Sequence, residues 1–354
     1  MPWQGLIGHD TIVERFRAML RENRLASTFL FVGPEGTGKW TFALKLAQAL
    51  LCHERDPAEL DPCGRCPSCV QVAAGTHPDL LRVAKPKDKS YIPVESFIGP
   101  PEKRMQAGFC HDLSVKPFFG GRKIGLIDDA DDLNQEGANC LLKTLEEPPP
   151  KSVLILIGTS ASKQLPTIRS RCQIIRFQPL PLEAVAELLL AQGHVNDPAE
   201  AKRLAAFSEG SLARAIELQE PALWSFRREF LAKLAEPRLD SVRVSKQVLA
   251  FVDEAGKEAS DRRKRIRQVI QFSIEYYRRL LRAMAGVASD DDAELNAFVE
   301  KGLRSFRGDE ETVAACLDRC LDALSHVDRN ANQQTLVECW LDEVGSGQSA
   351  VVSP

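Results

Sequence analysis

The stretch Gly33-Pro34-Glu35-Gly36-Thr37-Gly38-Lys39-Trp40 decides how the first half of this 354-residue chain folds. It follows the phosphate-binding pattern G-x-x-x-x-G-K-[ST], in which glycines let backbone N–H groups surround phosphates and the lysine reaches the terminal ones. The last position departs from the pattern, because Trp40 stands where a hydroxyl residue would hold Mg²⁺, and an indole is not a ligand for this ion. The loop predicts a nucleotide-binding fold that lacks one metal ligand for hydrolysis of its own.

Apolar strands and amphipathic helices alternate on both sides of this loop. Strand, glycine loop and helix in that order are the context that a phosphate-binding loop requires. Alternation of this kind is typical of a parallel sheet covered by helices on both faces, so we predict an α/β P-loop domain over residues 1–178. We expect strands at 29–32, Lys123–Asp128 and Val153–Gly158, and helices at Thr41–Leu51 and Gly137–Glu147.

The pattern changes at a proline-containing hinge, residues 177–181, after which only helical periodicity occurs. A small three-helix unit is expected at 179–220 and a longer helical block at 221–344. The last ten residues, 345–354, are rich in glycine and serine, and we expect them to be a disordered tail.

Composition and charge limit the function classes. Apolar residues make up 44% and charged residues 27% of the chain, as in globular proteins, and the formal net charge of −3 gives no global attraction to nucleic acid. The longest aliphatic run, Val153–Ile157, is too short to span a bilayer, so no membrane partner is expected. The first ten residues lack the regions of an export signal, and we expect a reducing, cytoplasmic location.

Four cysteines form a spaced group after the loop helix. Cys52, Cys63, Cys66 and Cys69 give the spacing C-x10-C-x2-C-x2-C, with glycine and prolines between them that allow tight turns. Such spacing suits a closed tetrahedral Zn²⁺ site, which would be structural because it leaves no open position. A disulfide pair or four unrelated thiols are the alternatives. We predict a zinc module inserted at about residues 52–69.

Two strand ends carry candidate nucleotide-site residues. Asp128 ends the second expected strand, where nucleotide hydrolases place a metal-orienting Asp, and Asp129 occupies the position of the catalytic acid but is one methylene shorter than Glu. A surface turn of acidic residues is the alternative. Thr159 follows the third strand and is a candidate contact to a γ-phosphate. With the loop residues Gly33, Gly36, Gly38 and Lys39, they complete the predicted nucleotide site.

Two basic segments remain. The loop Pro166–Cys172 holds Arg169 and Arg171, and a loop of this kind near a phosphate-binding sheet can supply an arginine finger, although a solvated basic loop has the same composition. Residues 257–282 combine arginines with tyrosines, which invites a nucleic-acid role. A solvated helix face explains that segment more simply.

Several of these segments together resemble bacterial DNA polymerase III clamp-loader subunits, a family of the AAA+ group. The resemblance rests on the 33–39 loop, the four cysteines, the string NCLLKTLEEPP at 139–149 and the string PTIRSRC at 166–172. It covers most of the chain and weakens beyond residue 220. The strings LLKTLEEPP and TIRSRC are specific.

The resemblance implies a RecA-like AAA+ domain, a three-helix lid at 179–220 and a helical collar at 221–344 that packs in a five-subunit ring. The implied partners are gamma/tau and delta subunits and, through the assembly, the sliding clamp and primed DNA. Arg171 matches the arginine that acts in trans on ATP held by a neighbouring gamma/tau subunit. Arg214 matches the lid arginine that motor subunits point at nucleotide.

Within the family, the departures at Trp40 and Asp129 favour a rigid stator over a gamma/tau motor. The implied chain has little or no ATPase of its own, and ATP with Mg²⁺ is a doubtful ligand for it. It would be an accessory subunit of a DNA-directed DNA polymerase. An active motor subunit that tolerates Trp40 and, more remotely, a DNA-binding adaptor remain alternatives.

Overall fold

The computed structural model describes residues 3, 5–86, 89–119, 121–287, 292–306 and 308–349. The chain divides into two compact units, Met1–Gln219 and Glu220–Pro354. None of the helices in the described ranges is long and apolar enough to cross a bilayer.

A five-stranded parallel sheet forms the centre of the first unit, with the strand order β2-β3-β4-β1-β5. The three strands expected from the sequence are confirmed as β1, β3 and β4, which lie in the middle of the sheet and are buried along their whole length. The remaining two are four-residue edge strands. The strands are β1 Thr28–Val32, β2 Leu80–Val83, β3 Lys123–Ile127, β4 Ser152–Gly158 and β5 Gln173–Arg176.

Helices cover both faces of this sheet because successive residues of β1 point to opposite sides. Phe29 and Phe31 join one apolar cluster with residues of the first two helices, and Leu30 and Val32 join a second cluster on the other face. The first-unit helices are α1 Asp10–Arg21, α2 Lys39–Leu50, α3 Pro67–Ala74, α4 Glu95–Ile98, α5 Phe109–Ser114, α6 Gln135–Glu146, α7 Pro166–Arg169, α8 Leu182–Ala191, α9 Pro198–Phe207 and α10 Leu212–Glu217.

Helices are the only regular secondary structure among the described residues of the second unit. Arg227, which is 1% exposed, lies among acidic side chains and donates to Asp292 at 2.6 Å, so that the buried charge is neutralised. Its helices are α11 Pro221–Leu234, α12 Ser241–Asp253, α13 Ala259–Met284, α14 Ala293–Ser305, α15 Glu310–Asp328 and α16 Gln333–Ser349.

The prediction of a disordered tail from residue 345 is wrong for residues 345–349, because α16 continues to Ser349. Gln348 is buried and donates to the phenolic oxygen of Tyr277 at 2.8 Å. A β-carbon at Gly347 would lie 3.0 Å from Sγ of Cys316, so the small residues that look like a flexible tail permit close helix packing instead. Residues 350–354 lie outside the described part of the chain.

Candidate functional site

The phosphate-binding loop joins β1 to α2 and has the backbone shape that its glycines predict. Gly33 and Gly36 have φ angles of 152° and 70°, a region that other residues rarely adopt. A β-carbon at Gly33 would lie 2.3 Å from the carbonyl oxygen of Phe177, and one at Gly36 would lie 2.2 Å from Oγ of Ser211. Close packing therefore requires glycine at both positions.

Lys39 begins α2 directly after Gly38 and is only 7% exposed. Its Nζ donates to the carbonyl oxygens of Gly33, at 2.7 Å, and Pro34, at 2.6 Å. Burial lowers the pKa of this ammonium group. The lysine is thus held inside the loop by the loop's own carbonyls.

Trp40 follows Lys39 and is half-buried against the apolar cluster that α1 and α2 share. The guanidinium carbon of Arg82 lies 5.6 Å from the centroid of the indole ring, within the range of a cation–π contact. The one hydroxyl inside the loop, on Thr37, donates to the carbonyl of Pro34 at 2.9 Å. The loop therefore presents no side-chain oxygen at the position where the pattern places a magnesium ligand.

The acidic turn after β3 lies at the same edge of the sheet as the loop, the edge formed by the carboxyl ends of the parallel strands. Asp129 adopts a left-handed backbone conformation with a φ of 51°, and its N–H donates to Oδ1 of Asp128 at 3.0 Å. Burial, together with the charge of Asp129, raises the pKa of Asp128. Burial likewise raises the pKa of Asp129. Two adjacent carboxyl groups, each with a raised pKa, therefore lie beside the loop.

A third acidic residue, Asp131, was missed by the sequence analysis and determines the state of Thr159. Oδ2 of Asp131 accepts hydrogen bonds from the backbone N–H of Thr159, at 2.8 Å, and from its hydroxyl. Oδ1 accepts from Nε2 of Gln164 at 2.7 Å. The hydroxyl expected to face a phosphate is therefore bound within the chain. Only its place in the run DDADD marked Asp131 in the sequence, and that run does not distinguish it from its neighbours.

The three-helix unit α8–α10 contacts the loop directly. The backbone N–H of Leu212, at the start of α10, donates to the carbonyl oxygen of Gly36 at 3.0 Å. Arg214, which matches the lid arginine of motor subunits, donates to the carboxylate of Glu209 at 2.6 Å. The lid is closed on the loop by a backbone hydrogen bond.

Arg171 lies at the opposite edge of the sheet, the edge formed by the amino ends of the parallel strands. Its carbonyl oxygen accepts from the hydroxyl of Thr28, the first residue of β1, at 2.6 Å. The loop follows Val32, at the other end of the same strand. Four steps along a strand cover about 13 Å, so Arg171 and the loop of this chain lie at opposite ends of the sheet.

The guanidinium of Arg171 is bound by three groups of its own chain. Nε donates to Oε1 of Glu146 at 2.9 Å, and Nη2 donates to the same oxygen. Nη1 donates to the carbonyl of Thr167 at 2.8 Å and to the hydroxyl of Ser170 at 3.2 Å. The side chain remains 31% exposed. Glu146, a member of the string NCLLKTLEEPP, was not singled out from the sequence.

The four predicted cysteines come together where α2 ends and α3 begins. Their Sγ atoms all lie within 4.8 Å of one another, and those of Cys63 and Cys69 are 3.9 Å apart. Four thiolates around a zinc ion at about 2.3 Å would be separated by about 3.8 Å, so this geometry fits a tetrahedral metal site.

Backbone donors favour the ionised form of part of this cluster. Burial opposes ionisation of the Cys52 thiol, but hydrogen bonds from the backbone, Cys63 first among them, lower its pKa to about 7. The N–H groups of Cys66 and Cys69 donate to the sulfurs of Cys63 and Cys66, at 3.3 and 3.4 Å. The cluster can hold a metal ion, because thiolate is the ligand form of cysteine.

The parallel sheet, the loop after β1, the acidic turn after β3 and the helical lid define the first unit as a P-loop domain of the AAA+ class. Residues 8–181 match the sequence profile of the family described as DNA polymerase III, delta subunit. The chain belongs to the DNA polymerase III delta prime family of clamp-loader subunits.

Two curated relatives carry the delta prime name. The chain is 40% identical over 187 residues to DNA polymerase III subunit delta' of Pseudomonas aeruginosa, a match covering 52% of this chain and 53% of the relative. It is 32% identical over 217 residues to the delta' subunit of Bacillus subtilis, covering 61% of each. The matches therefore span between half and two thirds of these relatives' lengths.

A match of similar extent is found with a tau/gamma subunit. The chain is 30% identical over 224 residues to the tau/gamma subunit of Haemophilus influenzae, covering 62% of this chain and 30% of the relative. Membership of the clamp-loader family is therefore firm, and the division of labour between the two kinds of subunit has to be argued from the site.

Proposed function

We propose that this chain is the stator of a clamp loader and donates Arg171 in trans to ATP bound by a neighbouring gamma/tau subunit. The observation that carries the proposal is the position of Arg171 at the sheet edge opposite to its own loop. An arginine there is about 13 Å or more from a nucleotide held after Val32. In a ring in which a neighbouring subunit packs against this edge of the sheet, Arg171 can reach the nucleotide of that neighbour.

The state of the chain's own loop supports little or no ATPase activity. Trp40 supplies no ligand for Mg²⁺, and the hydroxyl of Thr159 is bound to Asp131. Glu35, Asp128 and Asp131 all lie near enough to oppose the lowered pKa of Lys39, and the same carboxylates would repel the phosphates of ATP. Nucleotide is therefore not a cofactor of this chain in our proposal.

A stator role also agrees with the closed lid. The backbone hydrogen bond from Leu212 to Gly36 joins the lid to the loop through groups of the chain itself. We assign residues 1–178 to the RecA-like domain, 179–220 to the lid and 221–344 to a collar that packs in a five-subunit ring. With gamma/tau and delta subunits, this ring would open the sliding clamp and place it on primed DNA.

For the cysteine cluster we propose structural Zn²⁺. The four sulfurs are the whole donor set, so a bound ion would be fully coordinated and would brace the segment 52–69 without taking part in chemistry. We also propose a cytoplasmic location, where reducing conditions keep cysteines as thiols or metal ligands.

The test is ATP turnover by the purified chain, alone and reconstituted with its gamma/tau and delta partners, clamp and primed DNA. We expect no turnover by the chain alone. In the complex, Arg171→Ala should lower turnover at the neighbouring site, where an arginine finger is worth about 10³–10⁵ in rate in the best-studied cases.

Arg169→Ala is the matched control. Arg169 lies in the same loop, is exposed and makes no side-chain hydrogen bond or ion pair among the described residues. If Arg169→Ala abolished turnover and Arg171→Ala did not, the arginine finger would be Arg169. Turnover by the chain without partners would identify a motor subunit and overturn the stator proposal.

A further inference from the structure

We propose that Glu146 is a latch that stows the Arg171 finger until the neighbour's nucleotide displaces it. This inference rests on the proposed function and concerns its regulation. Arginine has five N–H donors in a fixed plane. The chain itself engages four of those of Arg171, two at one oxygen of Glu146 and two at Thr167 and Ser170.

The arrangement of the N–H groups of Arg171 explains why the contact with Glu146 restrains the arginine finger. An arginine binds a phosphate best through two parallel N–H groups, and the edge formed by Nε and Nη2 offers such a pair. In this chain both N–H groups of that edge point at Oε1 of Glu146. The finger can present this edge to a γ-phosphate only after the carboxylate has left it.

The latch is weak enough to be released. The side chains of Glu146 and Arg171 are 48% and 31% exposed, so water and salt screen their attraction. A phosphate with several negative charges competes well with one screened carboxylate. The other two contacts, to Thr167 and Ser170, involve Nη1 and leave the phosphate-binding edge free. They can therefore persist while the finger is engaged.

The position of Glu146 links the latch to the chain's own degenerate site. Glu146 is the last residue of α6, which begins just after the acidic turn at the loop edge and is about 18 Å long. The helix therefore carries Glu146 from the loop edge to the edge where Arg171 lies. The following prolines end the helix at that point.

The experiment uses the reconstituted complex and the isosteric change Glu146→Gln, which removes the charge and keeps the shape. We expect turnover at limiting ATP to rise by about two- to fivefold, the range typical of an exposed ion pair. Turnover at saturating ATP should stay at the wild-type value, because the neighbour's nucleotide has then already displaced Glu146. Glu146→Asp, which keeps the charge but shortens the reach, should fall between the two.

Two controls separate the latch from a general effect on the fold. Glu147→Gln changes the adjacent carboxylate, which is exposed and makes no side-chain hydrogen bond or ion pair among the described residues, and it should leave turnover unchanged. In the Arg171→Ala background, Glu146→Gln should have no effect, since there is no finger left to release.

Each outcome has one meaning. If Arg171→Ala abolishes turnover but Glu146→Gln lowers turnover or leaves it equal to that of Glu147→Gln, the latch proposal is wrong. The assignment of Arg171 as the arginine finger is then retained. If Arg171→Ala itself leaves turnover intact, the proposed function fails and the latch with it.

Discussion

The two edges of the central sheet use polar residues in opposite ways. At the edge that carries the phosphate-binding loop, Lys39 and Thr159 are bound by groups of their own chain, and the lid covers the loop. At the other edge, Arg171 is a third exposed and is restrained mainly by a screened carboxylate. Under the proposed function, the contrast teaches that a nucleotide-binding fold can lose the use of its own site while it keeps a group available for a neighbour's site.

The largest effect is expected at the cysteine cluster, where we test whether a bound metal stabilises the end of α2, away from the loop. Cys69→Ser removes one of four sulfur ligands, and we expect loss of stoichiometric zinc and destabilisation by about 3 kcal/mol or more. Zinc content and chemical unfolding of the purified chain measure both. Cys110→Ser is the control, since Cys110 lies outside the cluster. Unchanged stability after complete metal removal would rule out the bracing role.

The next effect concerns the close fit of lid and loop. Gly36→Ala places a β-carbon against Ser211 and Ala213 at a positive φ, and we expect a loss of roughly 3 kcal/mol in the free energy of unfolding. Gly193→Ala is matched for conformation, with a φ of 71°, but its β-carbon would have no neighbour within 4 Å. Its cost should be about 1 kcal/mol. Equal costs would show that the lid does not press on the loop in solution.

A pair of threonines compares the edges directly. Thr159→Val removes the hydroxyl bound to Asp131 and should cost about 1–2 kcal/mol without changing partner turnover. Thr28→Val removes the hydroxyl that holds the backbone of Arg171, and it should cost a similar amount but also lower partner turnover. Chemical unfolding and ATPase assays of the complex distinguish them. A fall in partner turnover with Thr159→Val would mean that the loop edge is still used.

The smallest effect is the dependence of stability on pH. Burial and Asp129 raise the pKa of Asp128 above its unfolded value, so the folded chain binds more protons and loses stability as pH rises from about 4 through the folded pKa. Asp128→Asn should therefore stabilise the chain at pH 7, by about 0.5 kcal/mol, and flatten this part of the pH profile. Destabilisation by the same change at pH 7 would show that the carboxylate is favourably paired.

Much of the fold could be predicted because the central strands and the loop have strong local signals. Continuous apolar runs identified β1, β3 and β4. The edge strands β2 and β5 escaped because each has only four residues and includes an arginine, which breaks the apolar run. The cysteine cluster was predictable from spacing alone.

The partners within the site could not be predicted, since they depend on contacts between residues far apart in sequence. Asp131 meets Thr159 and Glu146 meets Arg171 only after the sheet has formed. The basic segment 257–282 likewise turned out to include Arg265, which is buried beside Glu220 and stacked over Phe251. Charge in a helix does not by itself reveal which face is solvated.

Trp40 has a consequence for observation of this molecule. The residue that costs the loop its magnesium ligand is an indole, half-buried and 5.6 Å from the guanidinium of Arg82. Because indole emission depends on nearby charge and solvent, a variant in which Trp3, Trp224 and Trp340 are replaced will report changes at the loop through the fluorescence of Trp40. Trp40 is thus a native optical reporter at the phosphate-binding loop.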